Sequence, residues 1–323
     1  MHHDPLLYCP FEAALHPEHA AVEAAALAWA RRFDLCSRDA EASFRAARFG
    51  HLAARTHHWA DGDGLRLALD WIVWLFARDD RVDAAHRSAD VRGALIRGDD
   101  LRALLDEGSR LDDGARSGAL AGALHDIRRR VVERGGAGWW TRMAAHVRDY
   151  LDANAWELEN QREGRAPDVH SYVALRRASG AVRTTIALGA CLAGVPSDAP
   201  WLDHLQVRTL ADLANDHVCW VNDLRGLDKE MAEGHRNNLV LVLEAHERIP
   251  LEEARRLTAR RCDEVMAAYR ALEARLPHFG RRDGEVRAYQ RVLRSWMRGN
   301  LDWYGDTRRY EAPPGSPFLS AVG

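Results

Sequence analysis

Apolar residues recur along this chain at the three- and four-residue spacing of helices with one buried face. The run Leu65, Leu67, Leu69, Ile72, Leu75 and Phe76 is one example. Strand-like alternation is almost absent. Prolines fall at 5, 10 and 17 and then not again until Pro167. The stretch between is rich in Ala, Leu, Arg and Glu, all strong helix formers. The pattern predicts helices near 18–33, 40–58, 63–83, 87–107, 115–133, 139–163, 169–192, 202–231, 236–248, 251–276 and 284–304. Breaks are expected at Asp61-Gly62-Asp63-Gly64, at Gly135-Gly136-Ala137-Gly138 and at the loop from Gly194 to Pro200. Pro250, followed by Glu252 and Glu253, marks a helix start. The tail after Tyr310, with Pro313, Pro314 and Pro317, is expected not to be helical. With no repeat and no linker long enough to divide it, the chain reads as one all-α domain over 1–323. An N-terminal segment covers 1–17, and a C-terminal segment at 305–323 is expected to cap the site.

Composition narrows the class of partner. Hydrophobic residues make up 47 %, enough for a sizeable core, and the formal net charge is −3 with no basic tract. Nucleic acid is therefore a poor expectation. No apolar run reaches membrane-spanning length, and the start Met1-His2-His3-Asp4-Pro5 lacks a signal-peptide layout. Cys9, Cys36, Cys191, Cys219 and Cys262 are odd in number and show no CxxC spacing. Reduced thiols in a cytoplasm fit that better than a disulfide framework. The sequence contains no HExxH, GxSxG, P-loop or DxDD. His57-His58 makes no metal spacing and reads as surface.

Two clusters carry candidate chemistry. In Asp79-Asp80-Arg81-Val82-Asp83, residues 79 and 83 lie on one helical face and Asp80 about 100° away. The apolar run Trp71 to Phe76 precedes them, so the acids stand at the mouth of a greasy surface. In the second cluster, Asn222, Gly226 and Glu230 form an i, i+4, i+8 stripe after Val218-Cys219-Trp220-Val221, with Lys229 beside it. Hard oxygen ligands of this kind suit Mg²⁺, and a solvated acidic helix end is the plain alternative for each cluster alone. Upstream stand Arg176 and Arg177; downstream stands Arg309-Tyr310. Guanidinium forks suit phosphate oxygens and a tyrosine hydroxyl adds a donor.

Taken in order, these motifs resemble the class I terpene synthases (terpene cyclases) of the bacterial type, over nearly the whole chain. His16-Pro17 and Trp29 are similar to the family's N-terminal segment. Asp79 to Asp83 resembles the aspartate-rich motif, Asn222 to Glu230 the second metal motif, and Asn237-Asn238-Leu239-Val240 the segment after it. Trp303, Thr307, Arg309 and Tyr310 resemble the C-terminal motif. The resemblance implies a helical bundle around a central apolar cavity and three Mg²⁺ ions. Asp79 is then the principal ligand, with Asp83 as helper and Asn222 and Glu230 on another ion. Arg176, Lys229, Arg309 and Tyr310 are implied to hold diphosphate oxygens, with Ser179 and Gly180 at the positions tied to ionisation. The family usually has Ser or Thr where this chain has Gly226; water in place of that ligand is expected, and a weaker third metal site with lower activity is the alternative.

The implied reaction is ionisation and cyclisation of a linear prenyl diphosphate to a cyclic terpene, fifteen carbons before twenty. Residues one turn deeper than the ligands are expected to line an apolar pocket: Ile72, Leu75, Phe76, Val218, Cys219 and Trp303. Trp296 shares a helix face with Trp303. A chain-elongating prenyl transferase and a non-catalytic helical scaffold are the rivals. A homodimer is left open.

Overall fold

The computed structural model describes residues 7–87, 101–105, 118–165, 167–310 and 318. The described residues form helices joined by turns and loops, with no strand among them. We number the helices α1 (His19–Arg32), α2 (Glu41–Ala47), α3 (Phe49–Thr56), α4 (Gly62–Arg87), α5 (Ala119–Gly135), α6 (Ala137–Arg162), α7 (Val169–Ser179), α8 (Val182–Leu192), α9 (Leu205–Ala232), α10 (Leu239–Glu247), α11 (Leu251–Glu273) and α12 (Asp283–Trp303). Of the helix expected near 87–107, only 101–105 beyond Arg87 is described, and it is helical. The expected non-helical tail at 311–317 lies outside the described residues.

Local chemistry sets the helix ends where the sequence pattern placed them. The Asp61 carboxylate accepts from the Gly64 amide at 2.7 Å and caps α4. Asp168 does the same for Ser171 at 2.9 Å and opens α7. Pro250, with Glu252 and Glu253 in the first turn, opens α11.

Two single helices expected from the periodicity are each broken in two. The segment expected at 40–58 kinks at Arg48, whose φ of 53° is left-handed. That kink leaves the Ala46 and Ala47 carbonyls to be satisfied from outside the helix, while the Arg48 carbonyl accepts from His51 and Leu52 in the first turn of α3. Partners come from the end of α12 and the segment after it: the Thr307 hydroxyl reaches Ala47 at 2.9 Å, the Arg308 amide reaches Ala46 at 3.0 Å, and the Trp303 indole reaches Ala47 at 3.1 Å and adds a bond to Arg48 at 2.9 Å. The segment expected at 169–192 breaks at Gly180-Ala181, where Ala181 has φ 56°. Gly180 is required there by close approach, because a Cβ would lie 2.4 Å from Cys219 Sγ.

The core is aromatic and aliphatic. Trp71 and Trp74 stack at 5.0 Å, and their indole N–H groups donate to the Thr184 hydroxyl and the Leu120 carbonyl. Burial of these rings comes with their polar edges paired, as a stable core requires. His57 corrects a surface expectation: it is 1 % exposed, packed edge-on against Trp296, with Nδ1 bonded to the Thr56 hydroxyl at 2.9 Å. The end of α3 lies against α12, which turns this histidine inward. All five cysteines are free thiols. No described helix is long and apolar enough to cross a membrane.

Candidate active site

Helices α4, α6, α9 and α12, the α7–α8 break and the segment after α12 enclose a cavity of about 210 Å³. Every site and pocket residue named from the sequence lines it. Asp79, Asp83, Arg176, Ser179, Gly180, Asn222, Lys229, Glu230, Arg309 and Tyr310 form its polar end, and Ile72, Leu75, Phe76, Val218, Cys219 and Trp303 belong to its apolar wall. Spacing along α4 and α9 explains this: in each helix the acidic turn follows an apolar turn on the same face.

Carboxylate oxygens of Asp79, Asp80 and Asp83 lie within 4.8 Å of one another. Burial raises the Asp79 carboxyl; Arg309 opposes and Asp80 reinforces that shift. Burial, then the neighbouring Asp79, pushes Asp83 well above the usual carboxylate range. A cluster of acids held this close favours a proton or a cation. Asp80 does different work. It takes a two-pronged contact from Arg309, at 2.5 Å from Nη2 and 3.4 Å from Nη1, with both side chains buried. The Arg309 guanidinium also sits 4.7 Å over the Phe76 ring. Sequence spacing gave Asp80 no role; it fixes the arginine of the C-terminal motif.

On the other wall, Asp223 is the hub. Its carboxylate accepts from Tyr172 Oη at 2.6 Å, Arg176 Nε at 3.0 Å and the Leu239 amide at 3.1 Å. The same Arg176 donates through Nη2 to Asn222 Oδ1 at 2.7 Å. Asn222 in turn donates to the hydroxyls of Tyr304, at 2.7 Å, and Tyr310, at 3.0 Å. The amide of Asn222 is thus oriented by three partners, its oxygen toward Arg176. Burial lowers the Arg176 guanidinium, and Asp223 with Tyr172 and Cys219 outweighs it, so the net shift is upward. Arg177 points elsewhere: its fork closes on Asp216 at 2.7 Å through both nitrogens. The second arginine of that pair is structural.

Burial, then the negative Asp223, raises the Glu230 carboxyl to about 7. Oε2 of Glu230 accepts from Asn238 Nδ2 at 2.9 Å, while Oε1 leans over Gly226. A Cβ at 226 would lie 2.7 Å from that oxygen. The place of the family's hydroxyl side chain is therefore bordered by the Glu230 carboxylate. Lys229 bridges the two walls, 3.0 Å from Glu233 and 3.6 Å from Asp83.

Several lining residues carried no sequence signal: Tyr150, Asn154 and Glu157 on α6, Asn300 and Tyr304. Burial raises the Glu157 carboxyl, with Ser179 and Arg176 pulling the other way. Only the three- and four-residue spacing of 150, 154 and 157 hinted that they share a face. Apart from His235, which lies 3.7 Å from Asp83, the groups collected at the polar end are hard oxygens and cations. The oxygen set fits a hard divalent ion and the cations fit a polyanion.

Residues 70–268 match the family described as terpene synthase family 2, C-terminal metal binding. The chain is 33 % identical over 305 residues to a (+)-T-muurolol synthase from Roseiflexus castenholzii, covering 94 % of this chain and 93 % of that protein. It is 33 % identical over 310 residues to a 4-epi-cubebol synthase from Streptosporangium roseum, covering 95 % and 92 %. Among solved structures, a single-substitution variant of cucumene synthase superposes with a TM-score of 0.80 at 28 % identity, covering 94 % of this chain and 99 % of that one. The facing acidic helices, the arginine at the α7–α8 break and these likenesses agree: the chain belongs to the terpene synthase family, the metal-binding enzymes that cyclise prenyl diphosphates.

Proposed function

We propose that this chain ionises and cyclises farnesyl diphosphate, releasing diphosphate and a fifteen-carbon cyclic terpene. The reading rests on one observation above the others: a single cavity joins a cation-and-carboxylate end to an apolar, aromatic end. The (+)-T-muurolol and 4-epi-cubebol synthases are both named as cyclising farnesyl diphosphate, which supports the same chain length here. In this reading the whole chain acts as one domain.

Asp79, Asp83, Asn222 and Glu230 would hold Mg²⁺, three ions in all. Bound there, Mg²⁺ supplies positive charge that stabilises the departing diphosphate. Arg176, Lys229, Arg309 and Tyr310 take diphosphate oxygens and set the reacting carbon toward the apolar wall. Ser179 and Gly180 lie beside Arg176 at the helix break, next to the leaving oxygen in this reading. Phe76 and Trp303 offer ring faces to the allylic cation, and the hydrocarbon wall keeps bulk water from it.

The test is incubation with each prenyl diphosphate and Mg²⁺, with products read by gas chromatography and diphosphate by release. A cyclic terpene from the fifteen-carbon substrate is expected. Asp79→Ala and Glu230→Ala are each expected to abolish turnover while the helical circular-dichroism signal stays. A longer diphosphate would mark a chain-elongating enzyme, and no release under any condition would mark a scaffold. Full activity in either alanine variant refutes the metal assignment.

A further inference from the structure

Trp296 and Asn300 stand one helical turn apart on α12 and both line the cavity. They are 4 % and 6 % exposed, yet Trp296 Nε1 and Asn300 Nδ2 have no hydrogen-bond partner among the described residues. Two unpaired N–H groups on one face of α12 are costly, about 1–3 kcal/mol each. A prenyl chain has no acceptor to offer them. Along α12, Asn300 lies about 6 Å and Trp296 about 12 Å from Tyr304, whose hydroxyl bonds Asn222 at the polar end. The pair therefore faces the part of the substrate that carries the migrating positive charge, not the leaving group. One water needs about 15 Å³ of accessible space, and the cavity offers about 210 Å³.

We propose that Trp296 and Asn300 bind one water molecule in the cyclisation cavity and that this water ends the reaction, so that the product is a terpene alcohol. The proposal rests on the cyclase reading above and adds the fate of the final cation. The water oxygen accepts from both N–H groups. As the cation forms beside it, one of those hydrogen bonds is exchanged for a new C–O bond made with the oxygen lone pair. The resulting oxonium loses one proton to the diphosphate already released into the same cavity. Substrate plus water thus gives alcohol plus singly protonated diphosphate, with no oxidant or reductant. The amide of Asn300 offers a carbonyl as well as its N–H, so it can hold one hydrogen of the water and direct the lone pair inward.

The experiment runs the wild-type chain with farnesyl diphosphate and Mg²⁺ in H₂¹⁸O, reading products by gas chromatography–mass spectrometry per diphosphate released. The expected major product is a cyclic alcohol carrying ¹⁸O. Trp296→Phe removes the N–H while keeping one aromatic ring in a smaller side chain; Asn300→Leu removes the amide at nearly constant volume. Each is expected to lower the alcohol share relative to hydrocarbon by about fivefold, the worth of one hydrogen bond. Diphosphate release with hydrocarbon alone, or an unchanged alcohol share in both variants, overturns the water site and leaves the cyclase reading standing. No diphosphate release by the wild type overturns both.

Discussion

Gly226→Ala separates folding from catalysis in one substitution. The glycine sits in the interior of α9, where alanine is better by about 1 kcal/mol from helix propensity alone. The new Cβ would meet Glu230 Oε1 at 2.7 Å, against an ordinary contact of 3.4 Å or more. The carboxylate is the far end of a flexible side chain, so it yields by about 0.7 Å while the backbone holds (3.4 − 2.7). That movement strains its 2.9 Å bond to Asn238, worth about 1–3 kcal/mol. The two effects nearly cancel, and the melting temperature should move by no more than about 4 °C. Displacing a proposed ligand is different: losses of about 10–100-fold are typical when a ligand's support is disturbed. We expect kcat/KM to fall by about that factor and the Mg²⁺ needed for half-maximal rate to rise. Gly226→Ser should recover part of the loss, because its hydroxyl returns an oxygen to the site. The assay is diphosphate release across a Mg²⁺ titration, beside differential scanning fluorimetry. A Gly226→Ala enzyme with wild-type Mg²⁺ dependence and an unchanged melting temperature refutes the argument.

Three other outcomes are expected. Asp223→Ala leaves the Arg176 guanidinium and the Tyr172 hydroxyl facing a buried gap; breaking such a pair costs about 3–5 kcal/mol, measurable as a drop in urea midpoint, and a shift under about 1 kcal/mol counts against the hub. Burial holds His57 at about 3 against 6.5, so the unfolded chain takes a proton that the fold refuses between those values, and stability falls as pH drops through that window. Between pH 6.5 and about 5 the wild type should therefore lose about 2 kcal/mol more than His57→Asn; parallel stability–pH curves argue against it. Replacing Phe76 or Trp303 by leucine should change the product distribution more than the rate of diphosphate release, and identical profiles in both variants exclude them from the cation's path.

The acidic turns were readable because helical periodicity converts spacing directly into a shared face. Asp79 and Asp83, or Asn222 and Glu230, need only a helix to share a face. Asp80, Asp223 and Tyr304 were not readable, because their roles come from pairing across elements. Asp80 meets Arg309 over 229 positions, and Asn222 meets Tyr304 over 82. The kinks at Arg48 and Ala181 escaped for a related reason. Both residues are ordinary helix formers held at positive φ by tertiary contacts, with no glycine or proline at the kink residue itself to announce the turn. His57 was misjudged because polarity predicts exposure only until a neighbour supplies a partner; Thr56 does.

The seam between the Arg48 kink and the residues after α12 has a consequence for biosynthesis. Residues at and after the end of α12 must join a turn made far earlier in synthesis, across a separation of 255 to 262 positions. Until then a nascent chain holds both acidic helices but lacks the wall that Tyr310 and Arg309 complete. Cation chemistry is thereby withheld until residues 303–310 have been made and docked. Since main-chain carbonyls receive the incoming segment, side-chain changes at Ala46, Ala47 or Arg48 leave those acceptors in place, and drift there leaves the closure of the chamber intact.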